Sequence, residues 1–266
     1  MNAARIYMRY AGISIRSQMQ YRASFVMLAI GHFLGTGVEM LGIWALFARF
    51  RMLGTWRLAE VALFYGLVNV AFALAESVGR GFDLFPGMVK GGQFDRLLLR
   101  PRSTALQVAA CELQLMRVGR FAQGLIVLLW AAWALQVDWT VGRIALAAFA
   151  VFGGMCLFMG LFVLQATLAF WTTETLELMN TVTYGGTETG KFPLTIYRRW
   201  FRAFFTFVVP LASVTYFPAL AILDRPDPLG SPLWFRCAAP LIGVLFLVAA
   251  LYVWRFGVRR YRSTGS

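Results

Sequence analysis

The stretch RIALAAFAVFGGMCLFMGLFVLQATLAF, residues 143–170, contains a single charged residue, Arg143. About 20 consecutive apolar residues in a helix are enough to cross the hydrocarbon core of a bilayer. The whole chain has the same character, because 59% of its 266 residues are hydrophobic and only 14% are charged. Soluble domains carry about a quarter charged residues. The composition therefore predicts an integral membrane protein.

Four more apolar runs of adequate length flank this stretch, at about 24–47, 59–78, 120–136 and 237–254. A helical extension beginning at Ser103 would fit before the third of the five runs. Together the runs leave no room for a sizeable water-soluble domain. Residues 1–266 are therefore predicted to form one all-α membrane domain with six transmembrane helices, the remaining one belonging to the ambiguous region 172–224.

That region allows two arrangements. By hydropathy the span is FFTFVVPLASVTYFPALAIL, residues 204–223, which contains Pro210 and Pro218, and the polar residues before it form a cytoplasmic loop. Alternatively, residues 174–191 form a polar span hidden between other helices, and the proline-rich segment 192–224 enters the membrane and returns. Irregular backbone at that depth is tolerated only where protein surrounds it. Both arrangements give six spans and place the two termini on one side.

The distribution of basic residues predicts which side that is. The N-terminal segment, the loop after the second run, the start of the third run and the C-terminal tail hold 15 of the 25 Lys and Arg residues. The opposite side holds six, and the other four lie in the ambiguous region. Cytoplasmic flanks of membrane helices are enriched in Lys and Arg. Both termini are therefore predicted to be cytoplasmic.

The net charge of +13 is explained by these flanks and not by a nucleic-acid partner. At helical spacing Arg5, Arg9 and Arg16 lie on one arc, whereas Tyr7 and Ile15 lie away from it. This pattern predicts that residues 1–22 form a basic amphipathic helix in the headgroup plane, in contact with anionic lipids.

Residues 80–102, RGFDLFPGMVKGGQFDRLLLRPR, are predicted to form the one substantial cytoplasmic loop. Gly91 and Gly92 break a helix, and Pro101 ends the short segment that follows. Between these breaks we expect an apolar knob presented to water and rimmed by charge: Phe94, Leu97 and Leu98, with Asp95, Arg96 and Arg100. Such a segment suits the groove of a partner protein. It is equally compatible with a loop on the membrane surface whose leucines lie in lipid.

The chain resembles the permease subunits of type-2 ABC exporters, in particular the short six-span permeases. The segments that carry the resemblance are KGGQFDRLLLRP (90–101), FPLTIYRRWFRAFFTFVVPLASVTYFPAL (192–220) and the basic N-terminal segment that leads into the first span. The likeness covers nearly the whole chain. It implies an ATP-driven exporter in the bacterial inner membrane, with the polar span at 174–191 and a re-entrant hairpin at 192–224 on the outer side.

In such permeases a coupling helix in the loop after the second span inserts into a cleft on a separate ATPase subunit. The resemblance therefore assigns contact with an ABC ATPase to residues 94–98 and to Arg100. It also implies a second permease chain, identical or related, so that two chains form one substrate pathway. ATP and magnesium would be bound by the partner ATPase, and no cofactor is expected on this chain.

The segment GGTETGKF, residues 185–192, matches the G-x-x-x-x-G-K pattern of phosphate-binding loops. Such a loop needs Ser or Thr at the next position to hold magnesium, and this chain has Phe192 there. The chain also has one His, no sequence cluster of metal ligands and no embedded pair of carboxylates. We therefore predict that it binds no ATP or metal and is not an enzyme.

Ionisable residues inside spans are functional candidates because their burial in lipid is costly. His32 and Glu39 are seven residues apart, hence on nearly the same helical face, and Gly35 lies beside them. This stripe either lines a pathway or a subunit interface, with Glu39 facing a cationic substrate, or is a hydrogen-bonded packing face. Four other charged residues are expected to pair with one another or reach the interface: Glu76, Glu112, Arg117 and Arg120.

Two other classes of function remain open from the residues alone. An ion-gradient-driven secondary transporter would use Glu39 and His32 as proton carriers, although no internal repeat is apparent. A scaffold for membrane assembly would transport nothing. The sequence does not indicate a substrate.

Overall fold

The structure, a computed structural model, describes residues 12–171, 176–228 and 230–261. Residues 12–19 are helical, and the α-helices that follow are, in chain order, α1 (Arg22–Phe50), α2 (Leu58–Lys90), α3 (Gln93–Leu98), α4 (Thr104–Cys111), α5 (Val118–Ala134), α6 (Val141–Leu168), α7 (Leu176–Gly190), α8 (Arg199–Ala203), α9 (Leu211–Val214), α10 (Tyr216–Ile222), α11 (Leu233–Ala238) and α12 (Leu241–Arg260). Short 3₁₀ turns lie at Leu115–Arg117 and Leu194–Ile196, and a π-helical turn lies at Phe204–Val208.

Five of the described helical segments are long and apolar enough to cross a membrane: α1, α2, Leu115–Ala134, α6 and α12. They overlap the five apolar runs of the sequence, and the prediction of an all-α integral membrane protein is confirmed. A sixth candidate, Arg199–Val208 with Leu211–Ile222, is bent by 74° at its break.

Helix α2 occupies the centre of the bundle and packs along α5 and α6. In its most apolar window 83% of the residues are buried, compared with 6% in the corresponding window of α1. Helix α1 lies at the periphery and packs mainly on α5 and on the turn before it. There Gly119 lies against the backbone of Ala29, and a Cβ at Gly119 would collide with the Ala29 carbonyl oxygen. A small residue therefore sets how closely α1 approaches the bundle.

Helix α12 packs along α6, and glycines on both helices set their closest approach. A Cβ on Gly243 would meet the carbonyl group of Gly153, and a Cβ on Gly153 would meet the backbone of Pro240. The predicted final span, 237–254, is displaced: α11 ends at Ala238, and α12 continues to Arg260. The shift occurs because Pro240 precedes α12, where its fixed φ suits a helix start.

Helix α7 is polar and packs on the bundle through one of its faces. Three of its threonines, Thr183, Thr187 and Thr189, are buried, and two of them donate to helix carbonyls four residues earlier. Its first half is joined to α6, where Gln165 donates to the Asn180 side chain over 2.9 Å. Its last residue, Gly190, lies against Val68 of α2. The fifteen residues of α7 therefore run about 22 Å along the bundle, from the end of α6 to the middle of α2.

The proline-rich segment that follows turns back on itself and does not cross the bundle. Near its beginning Thr195 accepts a hydrogen bond from the Trp56 indole, over 2.9 Å. At its end Arg225 donates to the carbonyl of Thr55 and pairs with Glu60 over 2.8 Å. Both contacts are made to the α1–α2 loop or the residues beside it, so the segment begins and ends at the same end of the bundle.

The middle of the proline-rich segment is the part that packs between the long helices. Leu211 lies against Gly190, and Val214 lies against Gly154 of α6 and Gly243 of α12. The structure therefore has the hairpin geometry at residues 192–224 and α7 as the polar helix. Residues 204–223 do not form one continuous helix, because Val209 and Pro210 leave the helical conformation and the helices on either side are bent by 74°.

Helix α2 extends well beyond the predicted second run of 59–78. It continues to Lys90 with Pro86 inside it, so residues 80–90 of the expected loop are helical. Hydropathy missed this extension because the extension is held by protein rather than by lipid. Gly81 packs directly on the Val108 carbonyl of α4, and Phe82 and Phe85 are buried.

The first and the last described residues both lie at the end of the bundle that contains α3. Ser14 donates to the Leu113 carbonyl, beside α4, and Tyr261 packs on Phe94 of α3 with ring centroids 5.1 Å apart. The extension from Ser103 is α4, but it is not continuous with α5, since residues 112–114 separate α4 from the 3₁₀ turn. Of the predicted N-terminal helix, residues 1–11, including Arg5 and Arg9, lie outside the described residues.

Candidate functional site

Two features of the molecule are candidates for function: a cleft that opens between α1, α2, α5 and α7, and the α3 elbow, defined as residues 91–103. The charged cleft has a volume of about 270 Å³. Its lining is Gly31, His32, Gly35, Thr36, Glu39, Glu76, Arg117, Arg120 and Tyr184. The three residues predicted from the spacing in α1, His32, Gly35 and Glu39, therefore share one cavity wall.

One end of the charged cleft is held by a carboxylate between two guanidinium groups. Glu76, whose side chain is only 4% exposed, lies 3.3 Å from Arg117 and 3.0 Å from Arg120. Arg117 also lies 3.5 Å from Nδ1 of His32, which connects α1 to this group. The expected mutual pairing of these charges is confirmed for Glu76, Arg117 and Arg120. Glu112 is not part of it and instead accepts a hydrogen bond from Gln114.

The other end contains a lysine shared by two carboxylates. Lys191 Nζ lies 2.6 Å from Glu39 and 2.5 Å from Glu188, and the lysine side chain is 1% exposed. Its ammonium also lies 5.6 Å from the ring centroid of Tyr65. Tyr65 in turn donates to the Thr36 carbonyl over 2.6 Å. Two polar contacts, one through Lys191 and one through Tyr65, therefore tie the middle of α1 to the bundle.

Lys191 was missed as a site residue. It is one of only two lysines in the chain, and it ends the segment that resembles a phosphate-binding loop. In the structure residues 185–190 are helical, and the lysine is neutralised by the two glutamates, so no phosphate-binding loop exists there. Glu39 is therefore ion-paired, but it shares the lysine with Glu188, so the group of three keeps a net charge of −1.

The α3 elbow begins where α2 ends. Gly92 adopts a left-handed conformation with φ of 64°, which favours glycine, and reverses the chain into α3. Gln107 of α4 donates to the Leu97 carbonyl over 3.2 Å and supports the elbow from the other side. Burial, followed by the nearby Asp95 carboxylate, raises the pKa of the Tyr261 phenol.

The prediction that three apolar side chains of α3 face water is wrong for two of them. Phe94 is fully buried and Leu97 is 9% exposed, because both side chains pack against the bundle. Phe94 belongs to an aromatic cluster that also contains Phe85, Phe170, Trp254 and Tyr261, with ring centroids between 4.8 and 6.4 Å apart for its contacting pairs.

The side chains that the elbow exposes to solvent differ from those that the sequence predicted. Leu98 is 40% exposed and Leu99 is 86% exposed. The basic residues beside them, Arg96, Arg100 and Arg102, are exposed as well. An apolar pair with a basic rim is therefore available to a partner, whereas Phe94 and Leu97 hold the elbow in place.

Comparison with known protein families gives a match over most of the chain. Residues 33–265 match the family model described as ABC-2 family transporter protein. This chain belongs to the ABC-2 transporter family. No curated protein and no solved structure matches it.

The match covers both candidate features of this ABC-2 permease, since all but Gly31 and His32 of the cleft lining and the whole elbow lie inside residues 33–265. The predicted resemblance to type-2 ABC permeases is therefore confirmed. Among the described residues no group of three or more His, Cys, Asp or Glu side chains could hold a metal ion.

Proposed function

We propose that this chain is the permease half of an ATP-driven ABC exporter. Two such chains would form one substrate pathway, and a separate ABC ATPase would bind each of them at the α3 elbow. Membership of the ABC-2 transporter family, shown by the match over residues 33–265, carries the proposal. ATP and magnesium would be bound by the ATPase, and this chain would catalyse no reaction.

The exposed surface of the α3 elbow supports its role as the coupling element. Leu98 and Leu99 supply an apolar contact, and Arg96 and Arg100 supply charge around it. The aromatic cluster behind the elbow joins α2, α3, α12 and the turn that follows α6. A displacement of the elbow by an ATPase would therefore act on three long helices together, since packed interiors transmit strain.

The position of α1 supports pairing with a second permease chain. Its apolar side chains are largely uncovered, with Leu34, Val38 and Leu41 each more than half exposed. The charged cleft opens beside this surface and would line the pathway between two chains, with His32, Gly35 and Glu39 on its wall. Lipid and the second chain would share the uncovered surface.

The orientation follows from charge. With the hairpin geometry Arg198, Arg199 and Arg202 follow Thr195 to the α1–α2 loop end, and Lys191 lies inside the bundle. The end that contains the elbow still carries more basic residues, which favours the cytoplasm for both termini and the outer side for the hairpin. The elbow would then face the ATPase in the bacterial cytoplasm, with anionic lipids around the basic flanks.

Co-purification with point variants tests the coupling surface. A tagged chain expressed in its own host should retain a polypeptide with ABC ATPase motifs and ATP hydrolysis. Leu98→Asp combined with Arg100→Glu should release that ATPase at unchanged thermal stability, because both side chains are exposed. Leu233→Asp, at the other end of the bundle, is the matched control and should retain the ATPase.

Two outcomes would contradict the proposal. One is that the wild-type chain retains no ATPase. The other is that the purified chain alone moves a substrate in response to a proton gradient without ATP, which would favour the secondary transporter.

A further inference from the structure

An open cavity of about 550 Å³ lies between the start of the described chain and the break before α5, and no role has been assigned to it so far. One wall consists of the helical residues 12–19 and the first turns of α1, and the other consists of residues 110–116. We call it the interfacial cavity. It is separate from the charged cleft, with which it shares no lining residue.

The two walls of the interfacial cavity are held together by hydrogen bonds. Gln18 donates to the Leu113 carbonyl and accepts from the backbone N–H of Leu115 over 3.1 Å, and Ser14 donates to the same Leu113 carbonyl. These bonds satisfy backbone groups that the break between α4 and α5 leaves without helical partners. The cavity walls are thus an organised part of the fold.

The lining changes from polar to apolar along the cavity. Ser17, Tyr21 and the Glu112 carboxylate lie toward the end where the described chain begins, and Phe25 and Leu28 lie within the apolar run of α1. The cavity therefore reaches from the level at which α1 begins into the first turns of its membrane segment. A molecule that fills it needs a polar head and an apolar body.

The charge of the cavity lining determines which kind of polar head group would fit there. None of the 13 described residues that line the interfacial cavity is basic, although the chain carries a net charge of +13. Arg16 and Arg22 lie on the same wall helices but are not part of the lining. Glu112 accepts from Gln114 over 3.2 Å and forms no ion pair with a described basic side chain. The single ionic group that faces the cavity is therefore negative.

We propose that the interfacial cavity binds a cationic amphiphile, with its ammonium group beside the Glu112 carboxylate and its hydrocarbon portion along Phe25 and Leu28. An ammonium group makes stronger hydrogen bonds to a carboxylate than a neutral group does. An anionic head would meet the Glu112 charge with no cation in the lining to offset it. The proposal concerns binding to this chain alone and stands independently of transport.

Cys111 provides a direct probe because it lines the cavity and is exposed. Cys156 is buried, so a Cys237→Ser background leaves Cys111 as the exposed thiol. The full-length chain in phosphatidylcholine nanodiscs would be labelled with a maleimide, with and without three amphiphiles of equal chain length: dodecyltrimethylammonium, dodecylphosphocholine and dodecyl sulfate. Dodecyltrimethylammonium at ten times its dissociation constant should slow labelling by about tenfold, since only the unoccupied fraction reacts.

Two variants and one control test the chemistry. Glu112→Gln should remove most of the protection by the ammonium compound, and Ser24→Leu, which fills the apolar part, should reduce protection without altering charge. Asp138→Asn removes an exposed carboxylate outside the lining and should leave protection unchanged. Thermal unfolding of each variant would show that the fold is retained.

Three results would overturn the proposal. The first is the absence of any protection by dodecyltrimethylammonium. The second is equal protection by dodecyl sulfate, which would indicate an apolar groove that does not distinguish the charge of the head group. The third is full protection in the folded Glu112→Gln chain, which would exclude the carboxylate as the recognition group.

Discussion

Helices α1 and α2 are similar in sequence character and opposite in environment. They contain 29 and 33 residues, with mean hydropathies of 1.6 and 1.9 in their most apolar windows. Yet 6% of that window is buried in α1 and 83% in α2. Apolarity therefore indicates that a helix lies in the membrane, but it does not indicate whether its neighbours are lipid or protein, because lipid tails are as apolar as leucine.

The two helices are also held by different forces. Helix α2 is surrounded by packed side chains, such as Phe72 between the rings of Phe158 and Tyr184. Helix α1 is held at a few points, by the close approach of Gly119 and the ion pair through Lys191.

The largest effect is expected in the core around α2. Phe72→Ala should lower the free energy of unfolding by about 3–5 kcal/mol, because it removes a fully buried ring and leaves a cavity between α2 and α6. Denaturant or thermal unfolding in a mild detergent would measure it. A loss below about 1 kcal/mol would mean that α2 is not the packed centre of the bundle.

The ion pairs through Lys191 should behave as a unit. Glu39→Gln and Glu188→Gln each leave the lysine with one carboxylate, so each should cost less than about 1 kcal/mol of stability. The double variant leaves a lysine that is 1% exposed without either partner and should cost about 2–4 kcal/mol, more than the two single losses together. Unfolding of all four proteins completes the cycle.

A distant pair serves as the control for that cycle. Glu39→Gln combined with Asp138→Asn, which lies in the α5–α6 loop, should show additive losses. Additivity of Glu39→Gln with Glu188→Gln would instead show that Lys191 does not bridge α1 and α7.

A smaller effect is expected where α2 extends beyond its apolar run. The Trp254 indole donates to the Thr104 hydroxyl over 3.0 Å and packs on Phe82 and Phe85. Trp254→Phe should lower stability by about 1–2 kcal/mol, since it removes the hydrogen bond and keeps most of the packing. Thr104→Val is the reciprocal variant. If neither change alters the unfolding midpoint, the extension is not anchored by this contact.

The smallest effect on folding is expected at the uncovered surface of α1. Leu41 is 62% exposed, so Leu41→Ala should change the stability of the isolated chain by less than about 0.5 kcal/mol. In the proposed exporter the same change should weaken self-association, measured by crosslinking of cysteine pairs placed on α1. A stability loss as large as that of Phe72→Ala would show that α1 is a core helix after all.

The sequence located most of the fold and part of the charged cleft. Hydropathy found the five long helices, and helical spacing placed His32 and Glu39 on one wall of a cavity. It did not show that Glu39 pairs with Lys191, because the two residues are 152 positions apart and only the tertiary fold brings them together. The position of α7 was open for the same reason. A polar helix can lie in a loop outside the membrane or pack against the other helices within it.

The elbow shows the same limit at short range. The sequence predicted that Phe94, Leu97 and Leu98 form one apolar knob that faces water, whereas the structure buries the first two and leaves Leu98 exposed. The left-handed turn at Gly92 and the aromatic cluster around Trp254 direct the two buried side chains inward. A six-residue segment carries too few side chains to indicate which of its faces meets protein.

By itself the sequence determined that this chain is a membrane protein, that it contains five long apolar runs and, through short resembling segments, the family to which it belongs. These are local properties, set by runs of side chains that prefer hydrocarbon to water. Tertiary structure alone decided which helix is central, where the proline-rich segment reverses and which charges are neutralised. Those outcomes depend on contacts between residues far apart in the chain, and no local preference specifies them.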